Sequence, residues 1–185
     1  MHPQPEELAL IARASAGDRA ALGELYQRYV AEIYRYMLYR TGEPMAAEDV
    51  TAEVFASMIT SIARYEPRGV PFRAWLFRIA RARLADHWRS YERHAGRQVL
   101  LSEALASVLA GDAPEYHDYT PLVQALAYLT ELEREVVLLR FAGGLSNEEI
   151  AGVVGSNVNA VKGRLHRALK KLRRILENRA AQDEE

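Results

Sequence analysis

At 185 residues the chain suits one large domain or two small ones, and at 49% hydrophobic it is globular rather than disordered. The formal charge is -1, from 24 Lys and Arg against 25 Asp and Glu, so nucleic-acid binding must rest on local patches and not on bulk charge. There is no cysteine, which excludes disulfides and cysteine–zinc sites and suits a cytoplasmic location.

The opening MHPQPEELALIARA lacks a basic-then-apolar leader pattern. No apolar run approaches the ~20 residues that span a bilayer. Alternating Val, Ile and Thr runs, the mark of strands, are nearly absent. The expected fold is therefore all-α. Two small helical domains, over 1–93 and 120–185, are joined by a linker over 94–119, and the second contains a helix-turn-helix.

Glu6 to Ala14 reads as a short helix with Leu8, Ile11 and Ala12 apolar. Gly17-Asp18 interrupts it, and Asp18 caps a helix running to about Arg40. Leu22, Leu25, Tyr26, Tyr29, Ile33, Tyr36 and Met37 share one stripe of that helix, and Thr41-Gly42 ends it. Its tyrosines read as core or rim packing with a wet hydroxyl. Pro44 starts a third helix, to about Arg64, with Met45, Val50, Val54, Phe55, Met58, Ile59 and Ile62 available for burial. Glu48, Asp49 and Glu53 form an acidic face, which taken alone reads as solvated surface.

The loop Glu66-Pro67-Arg68-Gly69-Val70-Pro71 leads into a basic helix, FRAWLFRIARARLADHWRSYERH. Phe72, Trp75, Leu76, Ile79, Ala80, Leu84, His87, Trp88 and Tyr91 occupy one side. Arg73, Arg78, Arg81, Arg83, Arg89 and Arg93 cover the rest. Phe72 and Trp75 read as core. Cations interleaved with aromatics suit single-stranded nucleic acid, where charge follows the backbone and bases stack or enter pockets. From His94 to Tyr119 the pattern weakens, with room for one amphipathic helix over Gln98 to Leu109.

Beyond the linker, Thr120 or Asp118 caps PLVQALAYL. Thr130 caps ELEREVVLLRFAG, with Leu132, Val136, Val137, Leu139 and Phe141 apolar. Gly143-Gly144 ends that helix. Ser146 and Glu149 then make a capping box, Gly155 supplies the left-handed turn, and Asn157 caps the last helix. There Val158, Val161, Leu165, Ala168, Leu169 and Leu172 form the apolar stripe. Lys162, Arg164, Arg167, Lys170, Lys171, Arg173 and Arg174 form the cationic face. A cationic helix just past a tight helix-turn-helix corner is the geometry that enters a major groove.

Several of these stretches together resemble the extracytoplasmic-function (ECF) group of bacterial RNA polymerase sigma factors. AEDVTAEVFASMIT is similar to the family's polymerase-clamp helix, and FRAWLFRIARARLADHWR to its promoter-melting helix. LTELEREVVLLRFAGGLSNEEIAGVVGSNVNAVKGRLHRALKKLRR is similar to its minus-thirty-five domain. The resemblance covers about residues 5 to 178. It implies an initiation factor that binds core RNA polymerase, directs it to specific promoters and helps open the DNA, with an anti-sigma protein as a further partner.

By residue, the resemblance implies that Glu48, Asp49, Glu53, Val54 and Phe55 face the polymerase. Arg68, Gly69, Val70 and Pro71 would capture a flipped minus-ten base. Arg73, Trp75, Arg78, Arg81, Arg83 and Arg89 would lie near the melted strand. Asn157, Asn159, Lys162, Arg164, His166 and Arg167 would meet the minus-thirty-five element, with Lys170 and Lys171 on phosphates. The chain departs from the family pattern at Ser156, Ala160 and Gly163, and at Arg81-Ala82-Arg83 in the fourth helix, where Asn is frequent.

Two other classes stand beside this reading. A conventional helix-turn-helix regulator would be a dimer on a palindromic site, but leaves the acidic third and basic fourth helices without a role. An enzyme would need a metal spacing, nucleophile elbow or phosphate loop, and none is present in the sequence. No catalytic residue, metal or cofactor is expected.

Overall fold

The computed structural model describes residues 5–67, 70–94 and 120–183. Among them there is no strand. The first unit comprises α1 (Pro5–Ser15), α2 (Arg19–Thr41), α3 (Pro44–Ser61), a 3-10 turn at Ile62–Arg64, and α4 (Phe72–His94). His94 thus belongs to α4, not to the linker. The helix expected over Gln98 to Leu109 lies outside the described residues.

The helix ends follow from local chemistry. Asp18 Oδ1 accepts from the amides of Ala20 at 2.9 Å and Ala21 at 3.2 Å, pairing donors that a helix start leaves open. Gly42, at φ 74°, stops α2 in the left-handed region. Pro44 opens α3 where its missing N–H is not needed.

Helix α3 packs on both α2 and α4. Leu25, Ile33, Tyr36 and Met37 of α2 meet Val50, Val54 and Met58 of α3 and Phe72, Leu76 and Phe77 of α4 in the buried centre. Each large apolar side chain so buried contributes about 1.5–3 kcal/mol, far more than helix propensity supplies. Met45 and Ile59, expected inside, are 71% and 52% exposed. The inner stripe of α3 runs through Ala47, Val50, Thr51, Val54, Phe55, Met58 and Ile62, and the three- and four-residue period leaves Met45 and Ile59 off it. Tyr26 and Tyr91 are likewise exposed at the edges of their stripes.

The second unit comprises α5 (Thr120–Ala127), α6 (Glu131–Phe141), α7 (Asn147–Val154) and α8 (Val158–Asp183). Thr120 is the first residue of α5. Helices α5, α6 and α7 all pack on α8. Capping boxes join Thr130 to Glu133 and Ser146 to Glu149. Leu132, Phe141 and Leu169, expected to be buried, are exposed. In α6 the buried set is Val136, Val137, Leu138 and Leu139 together with the carboxylate residues Glu133 and Glu135. Helix α6 is covered from two sides, by α8 and by α2, and the burial follows those contacts rather than one amphipathic stripe.

The two units pack on each other, α4 against α7 and α2 against α6. At the junction Phe77 presses on Gly143, where a Cβ would fall 2.8 Å from Phe77 Cζ and 2.9 Å from the Leu139 carbonyl oxygen. Only glycine allows that approach.

Candidate polymerase and nucleic-acid interfaces

Glu48, Asp49 and Glu53 stand exposed along α3. Val54 and Phe55 do not join them at the surface. Val54 is fully buried, and Phe55 is inside with the Tyr26 ring edge-on at 4.7 Å. These two shape the acidic face from beneath. The large apolar side chains exposed on α3 are Met45 and Ile59, which hydropathy assigned to the core. Only the helical phase, counted from Ala47, separates them from the buried set.

Arg68 and Gly69 lie outside the described residues. The Val70 carbonyl accepts a 2.7 Å hydrogen bond from the Tyr65 hydroxyl, whose pKa burial pushes up to about 12, so it remains a donor. The Pro71 carbonyl accepts from the Trp75 amide at 3.0 Å and starts α4. Trp75 is half-buried, with ring centroids 5.1 Å from Tyr65 and 5.3 Å from Phe72. These bonds fix the loop's exit and the aromatic floor behind it.

Arg73, Arg78, Arg81, Arg83 and Arg89 of α4 are engaged within the chain. Arg73 Nε is 3.0 Å from Glu32 Oε2 in a two-pronged pair. Arg78 donates to the Gly152 carbonyl from Nε at 3.0 Å and from Nη2 at 2.7 Å. Arg81 Nε meets Glu135 Oε1 at 2.9 Å, and its Nη1 donates to the Val153 carbonyl at 2.7 Å. Arg83 pairs with Asp86 at 3.0 Å, and Arg89 also pairs with Asp86. Sequence reasoning could not anticipate the contacts of Arg78 and Arg81, because their carbonyl partners lie more than seventy positions away and Glu135 lies in the second unit.

The helix-turn-helix forms as its residues require. Glu149 N donates to Ser146 Oγ at 3.2 Å, and Ser146 N to Glu149 Oε2 at 2.8 Å. Gly155 turns the corner at φ 65°. Asn157 Oδ1 then accepts from the Ala160 amide at 2.8 Å, capping α8. Val161, Leu165, Ala168 and Leu172 are buried, while Asn157, Asn159, Lys162, His166, Arg167 and Lys170 are exposed. Arg164 is half-buried and donates to Ser156 Oγ at 3.0 Å. Lys171 differs from the phosphate-contact expectation. Its Nζ pairs with Glu133 at 2.7 Å and ties α8 to α6.

Comparison with known proteins bears on both units. Residues 25–94 match the Sigma-70 region 2 family and residues 119–172 the Sigma-70 region 4 family. The chain is 37% identical to the ECF RNA polymerase sigma factor SigD of Mycobacterium tuberculosis, over 94% of this chain and 85% of that protein. The chain belongs to the ECF group of RNA polymerase sigma factors.

It is thus an alternative sigma factor of transcription initiation, with core RNA polymerase and promoter DNA as its partners. It is also 36% identical to the ECF sigma factor BldN of Streptomyces coelicolor, over 91% of this chain and 65% of that protein. Among solved structures, CnrH in complex with the cytosolic domain of CnrY aligns with a TM-score of 0.70 at 29% identity, covering 92% of this chain and 96% of that one. In this sigma factor the first matched segment spans α2 to α4 and the second spans α5 to most of α8. No helix among the described residues is long and apolar enough to cross a membrane.

Proposed function

We propose that this sigma factor divides its work between α3, α4 and α8, and performs no chemistry itself. The exposed carboxylates Glu48, Asp49 and Glu53 dock on the polymerase clamp, with Met45 and Ile59 adding apolar contact. The loop ending at Val70 and Pro71, with Arg68 and Gly69, takes a flipped minus-ten base. The α4 cations Arg73, Arg78, Arg81, Arg83 and Arg89 follow the strands around it. Flipping a base costs a few kcal/mol, offset by stacking and pocket contacts. Helix α8 reads the minus-thirty-five element. Its first turns, at Asn157, Asn159 and Lys162, face base edges, and His166, Arg167 and Lys170 face bases and phosphates further along.

The observation that carries this reading is α8 itself. Val161, Leu165, Ala168 and Leu172 are buried, and Asn157, Asn159, Lys162, His166, Arg167 and Lys170 are exposed from the helix-turn-helix corner onward. An anti-sigma protein as regulator is part of the proposal, supported by the likeness to CnrH, whose solved structure is a complex with CnrY.

The test is run-off transcription from a genomic promoter library with core RNA polymerase, with and without this protein. Discrete new start sites that need the protein are expected. Asp49→Arg abolishes them, and Arg167→Ala changes the preferred upstream element. Unchanged transcription, with the protein binding duplex DNA as a dimer, would replace this reading with the conventional regulator.

A further inference from the structure

Arg164 is held at the head of α8. Its Nη1 donates to the Ser156 hydroxyl at 3.0 Å, the one side-chain partner its guanidinium has among the described residues. The two residues stand eight positions apart, and the contact runs back toward the N-terminus, the direction in which an α-helical side chain leans. Position 160, one turn before Arg164, is alanine, so only a methyl stands on that path. Ser156 itself has little freedom. Its amide donates to the Ala151 carbonyl at 2.9 Å, and Gly155 before it turns the corner at φ 65°. Asn157 after it caps α8 through the Ala160 amide at 2.8 Å. The backbone of the corner thus fixes the hydroxyl that fixes the arginine.

The kind of acceptor matters. Lys171 and Arg173 on the same helix pair with Glu133 and Glu177, which cancel their charge. A hydroxyl orients a guanidinium and leaves its charge intact. It also leaves Nε and Nη2 of Arg164 unpaired among the described residues. Two adjacent donors of that fork match the two acceptors that guanine shows in the major groove. We propose that Ser156 is a positioning residue for upstream-element readout, holding Arg164 to read one guanine beside the first turn of α8. The proposal rests on the reading of α8 as the helix that meets the minus-thirty-five element. Ser156 touches no base. It acts through Arg164, by removing before DNA arrives the side-chain freedom that binding would otherwise remove.

The test selects duplexes from a pool with a randomised upstream element. The tagged full chain is used with core polymerase present, and bound DNA is recovered through the chain itself. The parent's pool is expected to prefer guanine at one position, and Arg164→Ala to remove that preference. Ser156→Ala and Ser156→Val both delete the hydroxyl. Far-UV circular dichroism confirms that each is folded, and either folded variant serves. The guanine preference should fall about two- to tenfold at that position alone, the effect of freeing one long side chain. Ser156→Thr, matched in size to Val but keeping the hydroxyl, should restore it. In an Arg164→Ala background, loss of the Ser156 hydroxyl should change nothing further. Ser146→Ala loosens the other end of α7 without touching Arg164, and should leave the preference as it is.

An unchanged guanine preference in a folded hydroxyl-less variant overturns the positioning role. So does an equal loss at every position, a preference that survives Arg164→Ala, or a parent pool with no preferred base. If the preference behaves as stated but the recovered duplexes support no start site that needs this protein, the positioning role stands and the initiation reading falls.

Discussion

Tyr36 donates a 2.9 Å hydrogen bond to Glu135 across 99 positions of sequence, with both groups buried. Burial, reinforced by the neighbouring carboxylate, holds the Tyr36 hydroxyl well above its usual pKa, so it acts as a donor at any ordinary pH. Hydrogen bonds to a charged partner contribute about 1.5–3 kcal/mol. Tyr36→Phe should lower the free energy of unfolding by that amount in a urea titration. In a Glu135→Gln background the same change should cost clearly less, since the charge that strengthens the bond is gone. Equal costs in both backgrounds would mean the pair is not coupled.

Ser146 makes the second test, on the helix-turn-helix. Its hydroxyl accepts from the Glu149 amide at 3.2 Å at the start of α7. Ser146→Ala opens that donor and frees the reciprocal carboxylate, at a cost of about 1 kcal/mol. For a chain of this size the midpoint of thermal unfolding should fall by roughly 2–4 °C. Ser146→Asp keeps an acceptor in place and should restore most of the loss. Failure of Asp to rescue would show that the side chain matters for something other than capping.

These two cases mark where the sequence was legible. Caps and turns are local. Asp18, Gly42, Ser146, Gly155 and Asn157 act on residues within five positions, and each takes the place its chemistry dictates. Burial was legible only where an element has one neighbour. Helix α3 misled because Met45 and Ile59 are as apolar as the residues inside, and only the phase of the helix separates them. Helix α6 misled because it packs on two sides, so Glu133 and Glu135 are buried while Leu132 and Phe141 are not. The pattern of α4 suits single-stranded nucleic acid, and the family resemblance implies that its cations lie near the melted strand. Nothing in the sequence encodes that Arg78 and Arg81 rest on the end of a helix from the other domain.

Glu133 sets a pH dependence. The hydrogen bond from Lys171, with help from the Thr130 amide and hydroxyl, holds its carboxyl below the usual carboxylate range of about 4.5. A carboxyl depressed in the folded state stabilises above its unfolded pKa, and that stabilisation is lost as pH falls through the folded one. The loss should therefore appear below about pH 4.5. Lys171 is 43% exposed, so solvent screens the pair and its contribution at neutral pH is about 0.2–1 kcal/mol. Lys171→Met should lower the urea midpoint at pH 7 slightly and flatten its decline in acid. A decline as steep as in the parent would assign the acid sensitivity to other carboxylates.

Gly163 offers a gain instead of a loss. It lies within α8, where glycine costs about 1 kcal/mol against alanine. A Cβ there would meet only the flexible end of Arg167, with Nη1 at 3.4 Å. Gly163→Ala should therefore raise stability by about 0.5–1 kcal/mol, read as a higher urea midpoint. The same methyl nudges the Arg167 guanidinium, so binding to duplex carrying the selected upstream element should change more than binding to random duplex. Arg167→Ala should remove that difference and cost about 1–3 kcal/mol of discrimination. Lys170→Ala should weaken both duplexes alike and reduce the salt dependence of binding by about one unit of slope. If Gly163→Ala shifted random and selected duplex equally, Arg167 would be a phosphate contact and α8 would read its bases through its first turn alone.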